Sequence, residues 1–227
     1  YLLMTQEEIR LYANEKAFSQ EIKASLSKDG VTIFPYDQVY EDVKKISSDK
    51  KVVLDKENVN YLLLKNIPEE VCIEDAQNLT LLPKAIKNPV EVENEKIAHI
   101  KDGVAVTKFI YWLKQNVGKR TITEISAAEH LLTLRQAQEH FLDNSFDPII
   151  SYGEHAAMNH YSATPETDVV IEPKGLLLAD TGGHYLEGST DITRTIAMGE
   201  TTYEQKKFFT AVLRGTLNLA AASFRYG

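Results

Sequence analysis

Apolar residues along this chain follow two rhythms, and the change between them falls near Lys84 to Pro89. Ahead of that point they come in short runs. Tyr1-Leu2-Leu3-Met4 and Ile9-Arg10-Leu11-Tyr12 flank a polar turn, Thr5 to Glu8, and predict two short strands. Val31 to Phe34, stopped by Pro35, predicts a third strand, Lys51 to Asp55 a fourth, and Val71 to Ile73 a fifth. Val39, Val43 and Ile46 recur at helical spacing behind a candidate cap, Asp37, and a short helix is predicted near Val59 to Leu64. Such alternation predicts an α/β layer. It opens on a strand at its first residue, which implies that the chain begins inside a domain.

Beyond Lys84 to Pro89 the apolar spacing lengthens to that of long helices. Asn88 can cap, Pro89 suits the first helical position, and Glu91 suits the reciprocal capping position. Ile97, Ile100, Val104 and Tyr111 follow at helical spacing, and Ala105, Phe109, Trp112 and Leu113 widen the stripe. That pattern predicts a largely buried helix ending near Gly118. Thr123 with Glu124 starts a second helix to about His140, and Phe141 to Tyr161 reads as mixed loop and strand. Gly175 to Asp180 and Asp191 to Met198 are predicted strands. Thr201 and Glu204 form a capping-box pattern for a last helix whose core face would hold Phe209, Val212, Leu213, Leu217 and Ala220. The expected fold class is α+β, with residues 1–85 belonging to one domain and 86–227 to another.

Composition narrows the function. Hydrophobic residues make up 43% of the 227, enough for a packed core and too many for a disordered chain. The net charge of -8, without a Lys/Arg block, argues against nucleic acid and anionic membrane surfaces as partners. No apolar run reaches the roughly 20 residues of a membrane helix. Cys72 is the only cysteine. It is read as a buried apolar residue, and its isolation points weakly to a reducing, cytoplasmic setting.

The chemistry concentrates between Asp180, at the end of one predicted strand, and Asp191, at the start of the next. Gly182, Gly183 and Gly188 lie between them and allow a turn. If the strands pair antiparallel about it, the two aspartates face each other with Cβ atoms about 5 Å apart. Two ionised carboxylates that close need a proton or a cation between them. Hard oxygen ligands on rigid strands favour a hard divalent ion such as Mn or Mg. Two metals about 3.5–4 Å apart suit hydrolysis, because one polarises a carbonyl and together they generate hydroxide from water. Thr193 falls on the same face as Asp191 and is a candidate donor to a metal-bound carboxylate. Arg194 points the other way and is a candidate to pin a neighbouring carboxylate. The plainer alternative, a capping Asp and a solvated Asp, stays open on spacing alone.

The order of residues resembles the first half of the metal site of the pita-bread peptidases, which include aminopeptidase P, prolidase and methionine aminopeptidase. The pattern is Asp, ten residues, then Asp within Ser189-Thr190-Asp191-Ile192-Thr193-Arg194-Thr195. Lys84 to Pro89, Ile97 to Gly103, Thr123 to Glu129 and Ser145-Phe146 are similar to the opening of an aminopeptidase P catalytic domain. Asn159-His160-Tyr161 with Pro165-Glu166-Thr167 resembles the stretch holding that family's substrate-positioning histidine. The similarity is greatest to the large, three-domain, cytosolic type, with Glu154-His155 standing where relatives often have Pro-Asn. The resemblance implies a pita-bread fold and a hydrolase that removes an N-terminal residue preceding proline. It implies two divalent metals, most often Mn, with Asp180 binding one and Asp191 bridging both. One His and two Glu ligands would lie beyond residue 227. His160 would steady the substrate, peptides with proline at the second position would be the partners, and a homodimer is common in the family. A prolidase cutting only dipeptides and a non-catalytic protein-binding relative remain alternatives. His184 is read as a loop residue, His155 as a possible lining of the pocket, and His99, His130 and His140 as structural.

Overall fold

The computed structural model describes residues 1–225. The chain divides into two compact units, Tyr1–Ile86 and Lys87–Gly227.

In the first unit β1 (Leu2–Met4) and β2 (Ile9–Tyr12) form an antiparallel hairpin with Met4 opposite Ile9. Helix α1 (Gln20–Lys28) leads to β3 (Val31–Phe34), which lies parallel to β2. α1 was not anticipated, because it buries no residue and so lacks the continuous apolar stripe that marks a helix. A 3₁₀ turn, Tyr36–Gln38, runs into the single-turn α2 (Val39–Asp42). Asp37 sits inside that turn and caps nothing. Strands β4 (Lys51–Leu54) and β5 (Cys72–Asp75) pair in parallel around α3 (Tyr61–Asn66), which Asn60 caps. Tyr12, Val39, Val43, Leu63, Ile67 and Val71 form the core. Cys72 points outward and is exposed, contrary to its expected burial, because it alternates with the inward Val71 and Ile73 on a two-stranded edge.

A short helix, α4 (Leu81–Ala85), closes that unit, and α5 (Pro89–Asn116) opens the next. Asn88 accepts from the Glu91 N–H while the Glu91 carboxylate accepts from the Asn88 N–H, which completes the capping box. Only one stripe of α5 is buried: Ala98, Asp102, Ala105, Val106, Phe109 and Leu113. Ile97, Ile100, Val104 and Tyr111, expected inside, are exposed. The helix carries apolar residues on more than one face, and the packing selects the face bearing Ala98, Ala105, Phe109 and Leu113. α6 (Glu124–Gln136) is capped by Thr123 with Ser126 as the reciprocal partner.

Strands β6 (Phe141–Asn144), β7 (Ile149–Tyr152), β8 (Leu176–Thr181), β9 (Gly183–Tyr185) and β10 (Ile192–Ala197) form two antiparallel sheets. β8 is the centre of one, between β7 and β10, and β6 pairs with β9 in the other. Phe109, Leu113, Ile122, Leu131, Ile171 and Leu177 pack the core that joins helices to sheet. The last helix, α7 (Tyr203–Ala221), is capped by Thr202 with Gln205, one residue later than the expected Thr201 and Glu204. It buries no residue, so Phe209, Val212, Leu213, Leu217 and Ala220 do not face a core. The α+β class holds.

Candidate metal centre

Asp180 is carried by β8, where hydrogen-bonded neighbours on both sides fix the backbone. Ile149 of β7 lies opposite it on one side and Thr193 of β10 on the other. The expected facing pair is therefore displaced. Thr193, not Asp191, is the direct partner of Asp180, and Asp191 lies just before β10, two residues earlier. Two residues is the offset of a diagonal neighbour, which in a regular ladder is about 7–8 Å away. The shift arises because the connection is longer than a turn. β9 pairs with β6, a tight turn joins Tyr185 to Gly188, and His184 bridges back to Ser189 before the chain re-enters the sheet.

The glycines of this connection act through space. None of Gly182, Gly183 and Gly188 has a positive φ. A Cβ on Gly182 would come within 3.0 Å of the Thr190 carbonyl oxygen and of Ser145 Oγ. Ser145 Oγ donates to that carbonyl at 2.8 Å, and the Ser145 N–H donates to the Gly182 carbonyl at 3.1 Å.

Thr193 Oγ1 donates to Asp180 Oδ1 at 2.7 Å. Asp191 is exposed, and among the described residues nothing donates to its carboxylate. Arg194 donates to the Thr193 carbonyl at 2.7 Å and pins no carboxylate among the described residues. One half-buried and one exposed carboxylate supply hard oxygen donors of the kind a divalent cation takes. Among the described residues no group of three His, Cys, Asp or Glu side chains is placed to hold a metal, so this pair supplies only part of a coordination sphere.

Beneath the hairpin lies a polar cluster that the sequence did not reveal. Asp102 of α5 and Arg135 of α6 form an ion pair, Nε to Oδ1 at 2.7 Å and an Nη to Oδ2 at 3.2 Å, with both side chains at most 1% exposed. Arg135 also donates to Thr181 Oγ1 at 2.9 Å, and Thr190 Oγ1 donates to Asp102 Oδ2 at 2.7 Å. Tyr185 completes the set at 3.1 Å from Asp102 Oδ1, and burial, reinforced by that carboxylate, pushes its phenol well above the usual range. Nearby, Glu187 accepts from Lys101 at 2.7 Å and bonds His140 Nδ1 at 2.6 Å. The Lys101 ammonium and then His140 hold its carboxyl down to about 2.

A second buried carboxylate organises the histidine segment. Glu124, at the first turn of α6 and fully buried, accepts from the Tyr152 N–H at 2.6 Å and from the Tyr161 hydroxyl at 3.0 Å. His155 Nδ1 lies 3.0 Å from both Glu124 oxygens, and its ring packs 4.5 Å from that of Tyr161. His160 follows on the exposed surface at φ 57°, a left-handed conformation that its anchored neighbour Tyr161 helps to hold. Among the described residues it forms no hydrogen bond with either aspartate. His155 lines an open groove with Tyr152, Val170, Lys174, Leu176 and Gln205, a groove that includes none of Asp180, Asp191 and His160. His184 bonds Ser189 Oγ at 2.6 Å, His130 stacks on Trp112 with centroids 3.8 Å apart, and His99 bonds the Glu95 carbonyl at 2.8 Å. No helix among the described residues is long and apolar enough to cross a membrane.

Comparison with known proteins places these features in context. Residues 93–227 match the family described as Metallopeptidase family M24, and residues 1–91 match the Creatinase/Prolidase N-terminal domain. The probable Xaa-Pro aminopeptidase P of Chaetomium globosum is 35% identical over 238 residues, which cover 100% of this chain and 38% of the relative. Xaa-Pro aminopeptidase 2 of Mus musculus is 36% identical over 230 residues, 99% of this chain and 34% of the relative. The chain thus spans little more than a third of the length of these curated relatives. Among solved structures, the X-prolyl aminopeptidase of Caenorhabditis elegans, described as a cytosolic enzyme with a di-nuclear active site, superposes with a TM-score of 0.89 at 30% identity. It is matched over 100% of this chain and 38% of its own. The Xaa-Pro dipeptidase of Bacillus anthracis shares the fold at a TM-score of 0.72 and 20% identity, over 95% of this chain and 59% of its own.

Proposed function

Because the chain belongs to metallopeptidase family M24, we propose that it forms part of a metal-dependent Xaa-Pro aminopeptidase, with Asp180 and Asp191 as two ligands of a dinuclear site. The observation that supports this most is the carboxylate pair at the adjoining ends of β8 and β10, with Asp180 held by Thr193 and Asp191 left open toward solvent. A divalent pair, when bound, supplies Lewis-acid polarisation of the scissile carbonyl and activation of water.

The chain's own residues do the positioning. β8 fixes Asp180 between two neighbours, and the Thr193 hydroxyl orients the Asp180 carboxylate by occupying one oxygen. His160, on a segment secured through Tyr161 and His155 to Glu124, is assigned to the substrate carbonyl. Residues 1–85 are assigned to the later part of an α/β domain and 86–227 to the first half of the pita-bread domain, with further ligands supplied by residues outside this chain. A cytosolic setting and Mn as the metal complete the reading; the C. elegans neighbour, described as cytosolic, supports the first.

The test is hydrolysis of an Xaa-Pro-Yaa peptide by the full-length protein with and without added Mn. Metal-dependent release of the first residue is expected. Release only from Xaa-Pro dipeptides would make the protein a prolidase, and no release from a folded, metal-supplied protein would overturn the enzymatic reading.

A further inference from the structure

We propose that the buried Asp102–Arg135 pair is a positioning device that sets the metal affinity of the site, acting on Asp180 through Thr181 and on Asp191 through Thr190. The inference rests on reading the two aspartates as metal ligands.

Thr181 directly follows Asp180, and Thr190 directly precedes Asp191. Both hydroxyls end on the same ion pair, Thr181 Oγ1 accepting from Arg135 and Thr190 Oγ1 donating to Asp102. The need differs at the two positions. Asp180 already has a sheet neighbour on each side. Asp191 lies outside the ladder, which begins at Ile192 opposite Thr181, and is exposed. Its placement therefore rests on Ile192 in the ladder on one side and, on the other, on Thr190, which is 2% exposed and tied at every polar atom. The Thr190 N–H donates to the Gly183 carbonyl at 2.9 Å, its carbonyl accepts from Ser145 Oγ at 2.8 Å, and its hydroxyl accepts from the Gly183 N–H at 2.9 Å while donating to Asp102.

Stability alone does not explain such a cluster. A buried ion pair generally holds a fold together no better than apolar side chains of the same volume. What it adds is direction. The guanidinium fork and the two carboxylate oxygens hold the two threonines in one frame, and with them the backbone that carries the two aspartates. A divalent ion bound by oxygen ligands depends on the separation of those aspartates, and groups that orient metal ligands typically contribute 10–100-fold to metal affinity.

The experiment is calorimetric titration of Mn into the full-length protein and its variants. Thr190→Val keeps the shape and deletes the hydroxyl; we expect Mn binding weakened about 10–100-fold, with Thr190→Ser close to the parent. Thr181→Val cuts only the Arg135 bond and provides a second reading if Thr190→Val does not fold; it too should weaken binding. Activity lost in these variants should return at saturating Mn. A folded Thr190→Val or Thr181→Val protein that binds Mn like the parent overturns the proposal. Asp180→Asn separates the two levels. If it abolishes Mn binding while the threonine variants do not, the positioning role fails and the ligand assignment stands. If Asp180→Asn also binds normally, the ligand assignment falls with it.

Discussion

Thr193 and Glu124 show how differently two polar side chains bear on this protein. Thr193 is exposed, and among the described residues its side chain makes one bond, to Asp180. Thr193→Val is therefore expected to leave the denaturation midpoint nearly unchanged and to lower Mn affinity roughly 10-fold, read by titration of the full-length protein. Glu124 is fully buried and collects bonds from Tyr152, His155 and Tyr161. Glu124→Ala would take this acceptor from the buried Tyr152 N–H and from His155, with Tyr161 keeping only Thr167, and a loss of about 3 kcal/mol in urea unfolding is expected. A change below about 1 kcal/mol would show that water or rearrangement replaces the carboxylate. That Thr193 shares a face with Asp180 was legible because strand periodicity assigns faces over a few residues. Glu124 and Asp102 were not. On a helix each looks like a solvated carboxylate, and their partners lie 28 to 37 and 33 to 88 residues away in sequence.

At the scale of elements, the signal at Asn88 held because its motif closes on itself, whereas the capping box expected at Thr201 and Glu204 formed one residue later and Asp37 caps nothing. The Asn88–Glu91 capping box needs only four consecutive residues, and Asn88→Ala should cost about 1 kcal/mol in thermal or urea unfolding. The hairpin connection obeys longer-range rules. Gly182→Ala would drive a methyl into the Thr190 carbonyl and Ser145, so the connection must shift. Loss of several kcal/mol of stability together with the Mn site is expected, and a Gly182→Ala protein with parental stability would contradict the close approach. The same connection carries Glu187, whose folded carboxyl is held at about 2 by Lys101 and His140. Its ordinary value is about 4.3. A depressed folded value means that its stabilisation is present above about pH 4.3 and is lost as pH falls toward 2. Glu187→Gln should therefore lower the melting temperature at pH 6 and have little effect at pH 2. Equal effects at both would show that packing, not charge, is what Glu187 supplies.

At the scale of the whole molecule, α7 is the element the sequence read least well. Its apolar spacing was legible, but a stripe says only that a helix has something to bury, not where the other surface lies. Phe208, Phe209, Val212, Leu213, Leu217 and Leu219 are each at least 44% exposed. Contiguous exposed apolar surface of this kind drives association. The isolated chain should self-associate with rising concentration in sedimentation velocity, and Phe208→Lys with Val212→Lys should suppress it. A monomer at all concentrations would mean that α7 finds cover within the chain in solution.

The sequence by itself determined the class of fold, most strands, the start of α5 and the residues proposed to meet the metal. Each is encoded by spacing over a few neighbouring positions, or by a motif whose order identifies a family. Only the tertiary structure decided the register that sets Thr193, rather than Asp191, opposite Asp180, which face of α5 is buried, and where Asp102, Glu124 and Arg135 belong. These outcomes depend on how long a connection wanders before rejoining the sheet and on contacts between distant segments. The physical reason is that a local pattern fixes the direction of a side chain, whereas its partner is chosen by packing.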